Sequence, residues 1–211
     1  MKIGDIKIEA LGLMFPDEIP AYATGDTAQN YDVIMSDYSE MLARMTGSIA
    51  RCVDVIVERR VLPVKRKELF LENADKNGAL YRFDLTGVAD FFDVDRVIMQ
   101  SENAYDGDYP FRMEEKMLVI EEYKESESFS LLYYPRITPP SVWDNEKVLE
   151  GVPEEIARLI PYFIKGELFR EEEAGEAAEA MSWFEQRLAA ISDKHIGRQA
   201  HVASVYSMGV H

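Results

Sequence analysis

Four aspartates fall within one short stretch, DLTGVADFFDVD, and their carboxylate oxygens are the ligands that magnesium and calcium prefer. They are Asp84, Asp90, Asp93 and Asp95. In an enzyme, this stretch would be the candidate centre of a metal-dependent hydrolase. Phe91 and Phe92 interrupt the acids, however, and the EF-hand spacing with its terminal glutamate is absent. The alternative is that these aspartates make turns and helix caps between strands. We therefore expect no bound metal and no cofactor.

Few other side chains suit catalysis. The histidines are His195, His201 and His211, and no H-x-E or H-E-x-x-H motif accompanies them. Cys52 is the single cysteine and falls on an apolar helical stripe, which is typical of a small core residue rather than a nucleophile. The G-x-S-x-G, phosphate-loop and dinucleotide-binding motifs are also absent. We expect no catalytic residues and a protein that is not an enzyme.

The charge of the chain is strongly acidic. Its 211 residues include 39 Asp+Glu and 23 Lys+Arg, for a formal net charge of −16. Such a surface disfavours wrapping nucleic acid, because phosphate binding needs clustered Lys and Arg. A solvated helix end or a nucleic-acid patch would explain the one basic cluster equally well: Arg51, Arg59, Arg60, Lys65, Arg66 and Lys67.

No membrane segment is predicted. No run approaches the ~18 apolar residues that a spanning helix needs. Asp5 and Glu9 interrupt the apolar N-terminal stretch, which is unlike a signal peptide. We expect a soluble protein that is made in a cytosol and has no membrane partner.

The elements that position these residues follow from periodicity. Residues 2–15 have a short amphipathic helical pattern, and residues 28–60 carry the longest apolar stripe: Tyr31, Met35, Tyr38, Leu42, Met45, Ile49, Cys52 and Ile56. From about Lys67 the period changes to two, which predicts about five or six short antiparallel strands. Asn77-Gly78 is the strongest hairpin signal. After a proline-rich return, a last helix carries Ala177, Met181, Phe184, Leu188 and Ile191.

The predicted fold class is α+β. A helical bundle, made of the long helix and a C-terminal helix pair, carries an inserted small antiparallel β-sheet or sandwich. Residues 1–64 contribute the N-terminal helices, and residues 65–140 the β insertion. Residues 141–192 contribute the return linker and the closing helix pair. Residues 193–211 lack a helical period and are predicted to form an extended tail.

The closing sequence IPYFIKGELFREEEAGEAAEAMSWFEQRLAAI resembles the head–tail connector proteins of tailed bacteriophages, also called adaptor or head-completion proteins. The resemblance is best over residues 152–192, with support from IEALGLMF near the start. This chain has a larger β insertion than the purely helical connectors. The resemblance implies a structural virion protein, made in the bacterial host cytoplasm, that joins the portal protein to the tail or to a further head-completion protein. It also implies a ring, twelvefold in the family, through which DNA passes without specific binding.

The resemblance also suggests site residues. The acidic residues Glu171, Glu172, Glu173 and Glu176 either face the ring lumen and repel DNA phosphates or form a solvated helix face. Small residues beside them permit close helix approach within or between subunits: Ala174, Ala177, Ala178 and Ala180. The portal or a neighbouring subunit is expected to contact the tail at His201, Val202, Val205 and Tyr206. The alternative function is a soluble adaptor or regulatory module that binds one protein partner through its tail.

Overall fold

The chain is α+β, as predicted. A computed structural model describes residues 1–19, 36–100, 108–121, 128–141 and 144–207, without the side chains of residues 100 and 193–207. Two compact units are present: a helical unit, Met1–Val61 with Ile137–His211, and a β unit, Leu62–Arg136. Within the described ranges, no helix combines the length and the apolar character needed to cross a membrane.

The helical unit is organised around a short apolar helix. Its helices are α1 (Ile3–Met14), α2 (Ser39–Glu58), α3 (Glu154–Ala157), α4 (Ile160–Leu168) and α5 (Ala174–Ser207). Helix α4 packs against α1, α2 and α5. Pro161 lies in its first turn, where the missing N–H has no helical partner to lose, so a new helix can begin here.

The core of the helical unit confirms the predicted α2 stripe. Leu42, Met45, Ile49, Cys52 and Ile56 are all buried. Tyr38 is half-buried and immediately precedes α2, and Tyr31 and Met35 lie outside the described residues. The predicted last helix is also present, with Ala177, Phe184, Leu188 and Ile191 buried. The rings of Phe163 in α4 and Phe184 in α5 meet edge to face, with centroids 5.2 Å apart.

A strap formed by residues 144–149 covers the N-terminus of α1. The carbonyls of Lys147 and Asn145 accept hydrogen bonds from the N–H groups of Ile3 (2.9 Å) and Gly4 (2.8 Å), which otherwise have no partner in the first helical turn. Lys7 is buried beneath the strap, and its Nζ donates to Asn145 Oδ1 at 2.7 Å.

The β unit is a sandwich of two antiparallel sheets. Its strands are β1 (Lys65–Phe70), β2 (Asp75–Asn77), β3 (Leu80–Asp84), β4 (Phe91–Gln100), β5 (Phe111–Glu114), β6 (Met117–Glu121) and β7 (Ser128–Pro135). The strand orders are β1-β7-β4 and β2-β3-β6-β5. Both sheets contribute to one core: Leu69, Val97, Phe129 and Leu131 come from the first sheet, and Phe83, Leu118 and Ile120 from the second.

Two hairpins illustrate what turn signals reveal. The Asn77-Gly78 hairpin is present between β2 and β3, with Asn77 paired to Leu80 and Gly78 at φ 64°. The turn between β5 and β6 carries no comparable signal in the sequence. Glu115 adopts a φ of 57° there without the Gly or Asn that usually marks such a turn.

The prediction of an extended tail is wrong for residues 193–207, because α5 continues to Ser207. The sequence there contains no proline, and each added helical residue brings one backbone hydrogen bond. A weak apolar period therefore does not end a helix that is already formed. Residues 208–211 lie outside the described part of the chain.

Candidate functional site

The four aspartates of the candidate metal centre have separate structural partners. Asp84 Oδ1 accepts a hydrogen bond from the Thr86 backbone N–H at 2.8 Å, which is a local turn contact. Asp95 Oδ1 accepts one from the Tyr134 hydroxyl at 2.8 Å, and Asp93 Oδ1 one from the Val94 N–H at 2.8 Å. Among the residues that the structure describes, no group of three or more His, Cys, Asp or Glu could hold a metal ion. Asp84 therefore fits the turn interpretation, whereas Asp93 and Asp95 lie within strand β4 rather than in a turn or a helix cap.

Asp90 connects the first and last strands of the β unit, β1 and β7, through its side chain. Its Oδ2 lies 2.5 Å from Lys65 Nζ, its Oδ1 accepts a hydrogen bond from the Tyr133 hydroxyl at 3.0 Å, and its carbonyl accepts one from the Arg136 N–H at 2.7 Å. The hydrogen bond from Lys65 lowers the pKa of Asp90. Burial, and then the hydrogen bond to Asp90, raise the pKa of Tyr133 to about 12. We call these four residues the Asp90 clasp.

Glu171, Glu172 and Glu173 form an exposed acidic turn between α4 and α5. The turn is fixed by its backbone, since the Glu173 N–H donates to the Phe169 carbonyl at 2.8 Å and the Ala177 N–H to the Glu173 carbonyl at 3.0 Å. Negative charge at a helix N-terminus is favourable because the helix dipole is positive there. The start of α5 therefore stabilises a concentration of carboxylates that would otherwise repel one another.

Glu176 differs from the other three glutamates. Its Oε2 lies 2.6 Å from Lys165 Nζ, which also donates to the Leu13 carbonyl at 2.8 Å. Lys165 is largely buried, and its ammonium lies 5.6 Å from the centroid of the Phe169 ring. This lysine therefore joins α1, α4 and α5. Glu176 is a structural partner of Lys165, and the free negative charge of the turn rests on Glu171, Glu172 and Glu173.

The small residues of α5 have a role within the chain. A Cβ placed on Gly166 of α4 would lie 2.9 Å from Met181 Cε and 3.2 Å from the Ala177 carbonyl oxygen. Ala177 and Ala180 are buried, whereas Ala174 and Ala178 are exposed. Ala177 lies where α4 and α5 approach closely at Gly166.

The basic cluster is largely occupied by ion pairs and hydrogen bonds. Arg51 of α2 makes a two-pronged contact with Glu167 of α4, with Nε–Oε1 and Nη2–Oε2 distances of 2.8 Å. Arg59 pairs with Glu185 of α5 at 2.9 Å. These pairs connect α2 to the closing helix pair, so the fold explains them without a nucleic-acid ligand.

The remaining candidates are a buried thiol and residues beyond the described side chains. Cys52 is fully buried, and burial raises its pKa well above the usual value, which keeps it in the unreactive thiol form. The side chains of His195, His201, Val202, Val205 and Tyr206 lie outside the described part, although their backbone belongs to α5.

The β unit carries a shallow surface groove of about 190 Å³. It is lined by Leu80, Pro110, Phe111, Arg112, Val119 and Glu121. Sites for small-molecule ligands usually enclose ~300–1,000 Å³. This groove is too small and too open to indicate a substrate pocket.

No protein-family model matches this chain, and a search of curated proteins also finds no match.

Proposed function

We propose that this protein is a structural, non-enzymatic component of the head–tail junction of a tailed bacteriophage. In this role it joins the portal protein to the tail, or to a further head-completion protein, as a ring around the DNA channel. The observation that carries the proposal is the exposed acidic turn Glu171–Glu173 at the head of the close-packed α4–α5 pair.

The acidic turn suits a channel that must let DNA pass. The backbone hydrogen bonds around Glu173 fix the turn that carries these carboxylates. At physiological salt, charges act over a Debye length of about 8 Å, so repulsion is felt only by a phosphate backbone close to the wall. Repeating the turn around a ring would place many such charges at one level of a channel.

The contact with the portal or a neighbouring subunit is assigned to the end of α5, which carries His201, Val202, Val205 and Tyr206. The helical backbone of this segment supports recognition by a helix rather than by an added strand. A net charge of −16 opposes association of free subunits at low salt. We expect the purified protein to be a monomer or a weak oligomer that salt favours, and to form a ring on meeting the portal.

Assembly is tested by light scattering of the protein alone and mixed with the portal protein encoded by the same genome. We expect portal and major capsid genes beside the gene for this chain, and a ring complex in the mixture. A variant lacking residues 195–211 should keep the helical fold and lose portal attachment. Absence of a portal gene, or a portal that leaves the protein monomeric, would contradict the proposal and favour the soluble adaptor.

DNA repulsion is tested on the assembled ring. In the triple variant Glu171→Gln, Glu172→Gln and Glu173→Gln, we expect tighter retention of double-stranded DNA, with the largest gain at low salt. The matched control removes three charges at other exposed positions of the helical unit: Glu150→Gln, Glu155→Gln and Glu179→Gln. Equal gains in the two variants would mean that total charge alone matters and that the acidic turn does not face DNA.

A further inference from the structure

The β unit begins and ends at the same place. Strand β1, through which the chain enters, is hydrogen-bonded to β7, through which it leaves, and Lys65 lies directly opposite Tyr133. Directly opposed residues on antiparallel strands have Cα atoms about 4.5–5.5 Å apart. The helical unit is therefore interrupted by an excursion whose two ends are neighbours, as in domains that tolerate insertion.

The Asp90 clasp secures this base from within. Asp90 contacts Lys65 on the entering strand, Tyr133 on the leaving strand and the N–H of Arg136, the last residue of the unit. All four members belong to Leu62–Arg136. The contacts that hold the two ends together are thus supplied by the β unit itself.

Each unit also has a core of its own. The β core joins side chains of both sheets, with Val97, Leu118, Ile120 and Leu131 fully buried. The helical core includes Ile6, Met45, Ile164 and Phe184, which are also fully buried. Because burial of apolar surface is the main favourable term in folding, a unit with a contiguous core can be cooperative by itself.

We infer that the helical unit and the β unit unfold as two separate cooperative units. The β unit is a module that can lose its structure while α1, α2, α4 and α5 keep theirs. The acidic turn between α4 and α5 therefore retains its geometry when the β unit opens. This inference goes beyond the proposed function and does not depend on it, since it requires neither portal nor DNA.

Hydrogen–deuterium exchange of the full chain, read by mass spectrometry, tests the inference. Leu118→Ala removes side-chain volume from the β core, and we expect exchange of the strand amides to accelerate about tenfold or more, with the helices unchanged. Phe184→Ala should give the reverse pattern. Complete loss of strand protection in Leu118→Ala with helix protection retained supports the inference equally. Loss of protection in both units from either substitution, or a chain that no longer folds at all, would overturn it.

A milder variant addresses the base of the unit. Asp90→Asn removes the carboxylate that Lys65 contacts, and we expect faster exchange in β1 and β7 only. The control, Asp108→Asn, changes an exposed carboxylate of the same unit that lies 3.8 Å from Arg96. If Asp90→Asn accelerated exchange in α2 or α4 as well, the clasp would stabilise both units together and the two would not be separate.

Discussion

The two units bury polar groups in opposite ways. In the helical unit, Lys7 is almost completely buried with one hydrogen bond to Asn145, and desolvation lowers its pKa, although Asp144 acts in the opposite direction. In the β unit, the Tyr133 hydroxyl and the Lys65 ammonium both donate to Asp90, so that each oxygen of this carboxylate has a hydrogen-bond partner. A buried charge with little compensation costs stability, whereas a paired one at a half-exposed site contributes a modest gain.

The units also fill their cores differently. Helices α4 and α5 approach through Gly166 and Ala177, and a methyl group added at Gly166 would press on Met181 and the Ala177 carbonyl. The two sheets instead meet through large side chains, such as Phe83 and Phe129. Close helix packing depends on small residues at single positions, while a sandwich distributes its packing over several large ones.

The largest expected effect comes from removing a core aromatic in each unit. Phe184→Ala and Phe129→Ala should each lower the free energy of unfolding by ~3–5 kcal/mol, because both side chains are buried. Urea unfolding followed by circular dichroism measures the loss, and His201→Ala serves as the control, with an expected change within about 0.5 kcal/mol. Equal, large losses for His201 and Phe184 would show that the end of α5 belongs to the core.

A smaller loss of stability is expected from a glycine substitution where α4 and α5 pack together. Gly166→Ala should lower the free energy of unfolding by about 1–3 kcal/mol despite the better helix propensity of alanine, because the new methyl group meets Met181 and the Ala177 carbonyl. At Gly175 in the first turn of α5, an added Cβ would have no neighbour within 4 Å among the described atoms outside the adjoining helical backbone. Gly175→Ala should therefore be neutral or stabilising by up to ~1 kcal/mol. Thermal unfolding of both variants checks the pair; a tolerated Gly166→Ala would mean that the helices can separate at little cost.

At alkaline pH, the stabilities of the two units should change in opposite directions as the pH rises. Because the pKa of Lys7 is lowered, the unfolded chain binds more protons just below the usual lysine pKa, and the stability of the helical unit rises with pH there. The pKa of Tyr133 is raised from 10.0 to about 12, so the unfolded chain binds fewer protons in that interval and the stability of the β unit falls.

Two variants test these signs by hydrogen exchange across pH. Lys7→Met should stabilise the helical unit at pH 7 by about 1–3 kcal/mol, with a gain that shrinks toward pH 10. Tyr133→Phe should remove the decline of the β unit above pH 10. A Lys7→Met gain that is constant with pH would mean that packing, rather than the buried charge, is responsible.

The smallest expected effect is that of divalent ions. Adding magnesium, calcium or EDTA should leave the thermal midpoint unchanged, because Asp84, Asp90 and Asp95 have separate partners. A rise of the midpoint with either ion would revive the hydrolase alternative and would place a ligand-stabilised site in the β unit.

Local periodicity was sufficient for much of the fold. The α2 stripe from Leu42 to Ile56 and the Asn77-Gly78 hairpin were predicted because each depends on residues near one another in sequence. The burial of Lys7 was missed, since the strap that covers it lies 138 residues away. The Asp90 clasp was missed for the same reason, because Lys65 and Tyr133 join it from distant strands.

The acidic turn was only partly predictable. The run of glutamates indicated a charged surface before α5, but the sequence could not separate Glu176 from its three neighbours. That distinction depends on Lys165, which lies on the preceding helix and reaches across the turn. Charge patterns reveal where carboxylates concentrate, and only packing reveals which of them is neutralised.

Lys165 contacts Leu13, Glu176 and Phe169, so its ammonium group attaches the N-terminal end of α5 to α1 and α4. Helix α5 contains 34 residues, and at a rise of 1.5 Å per residue it spans about 50 Å. A tilt of about 5° at this attached end would displace the far end of the helix by about 4 Å.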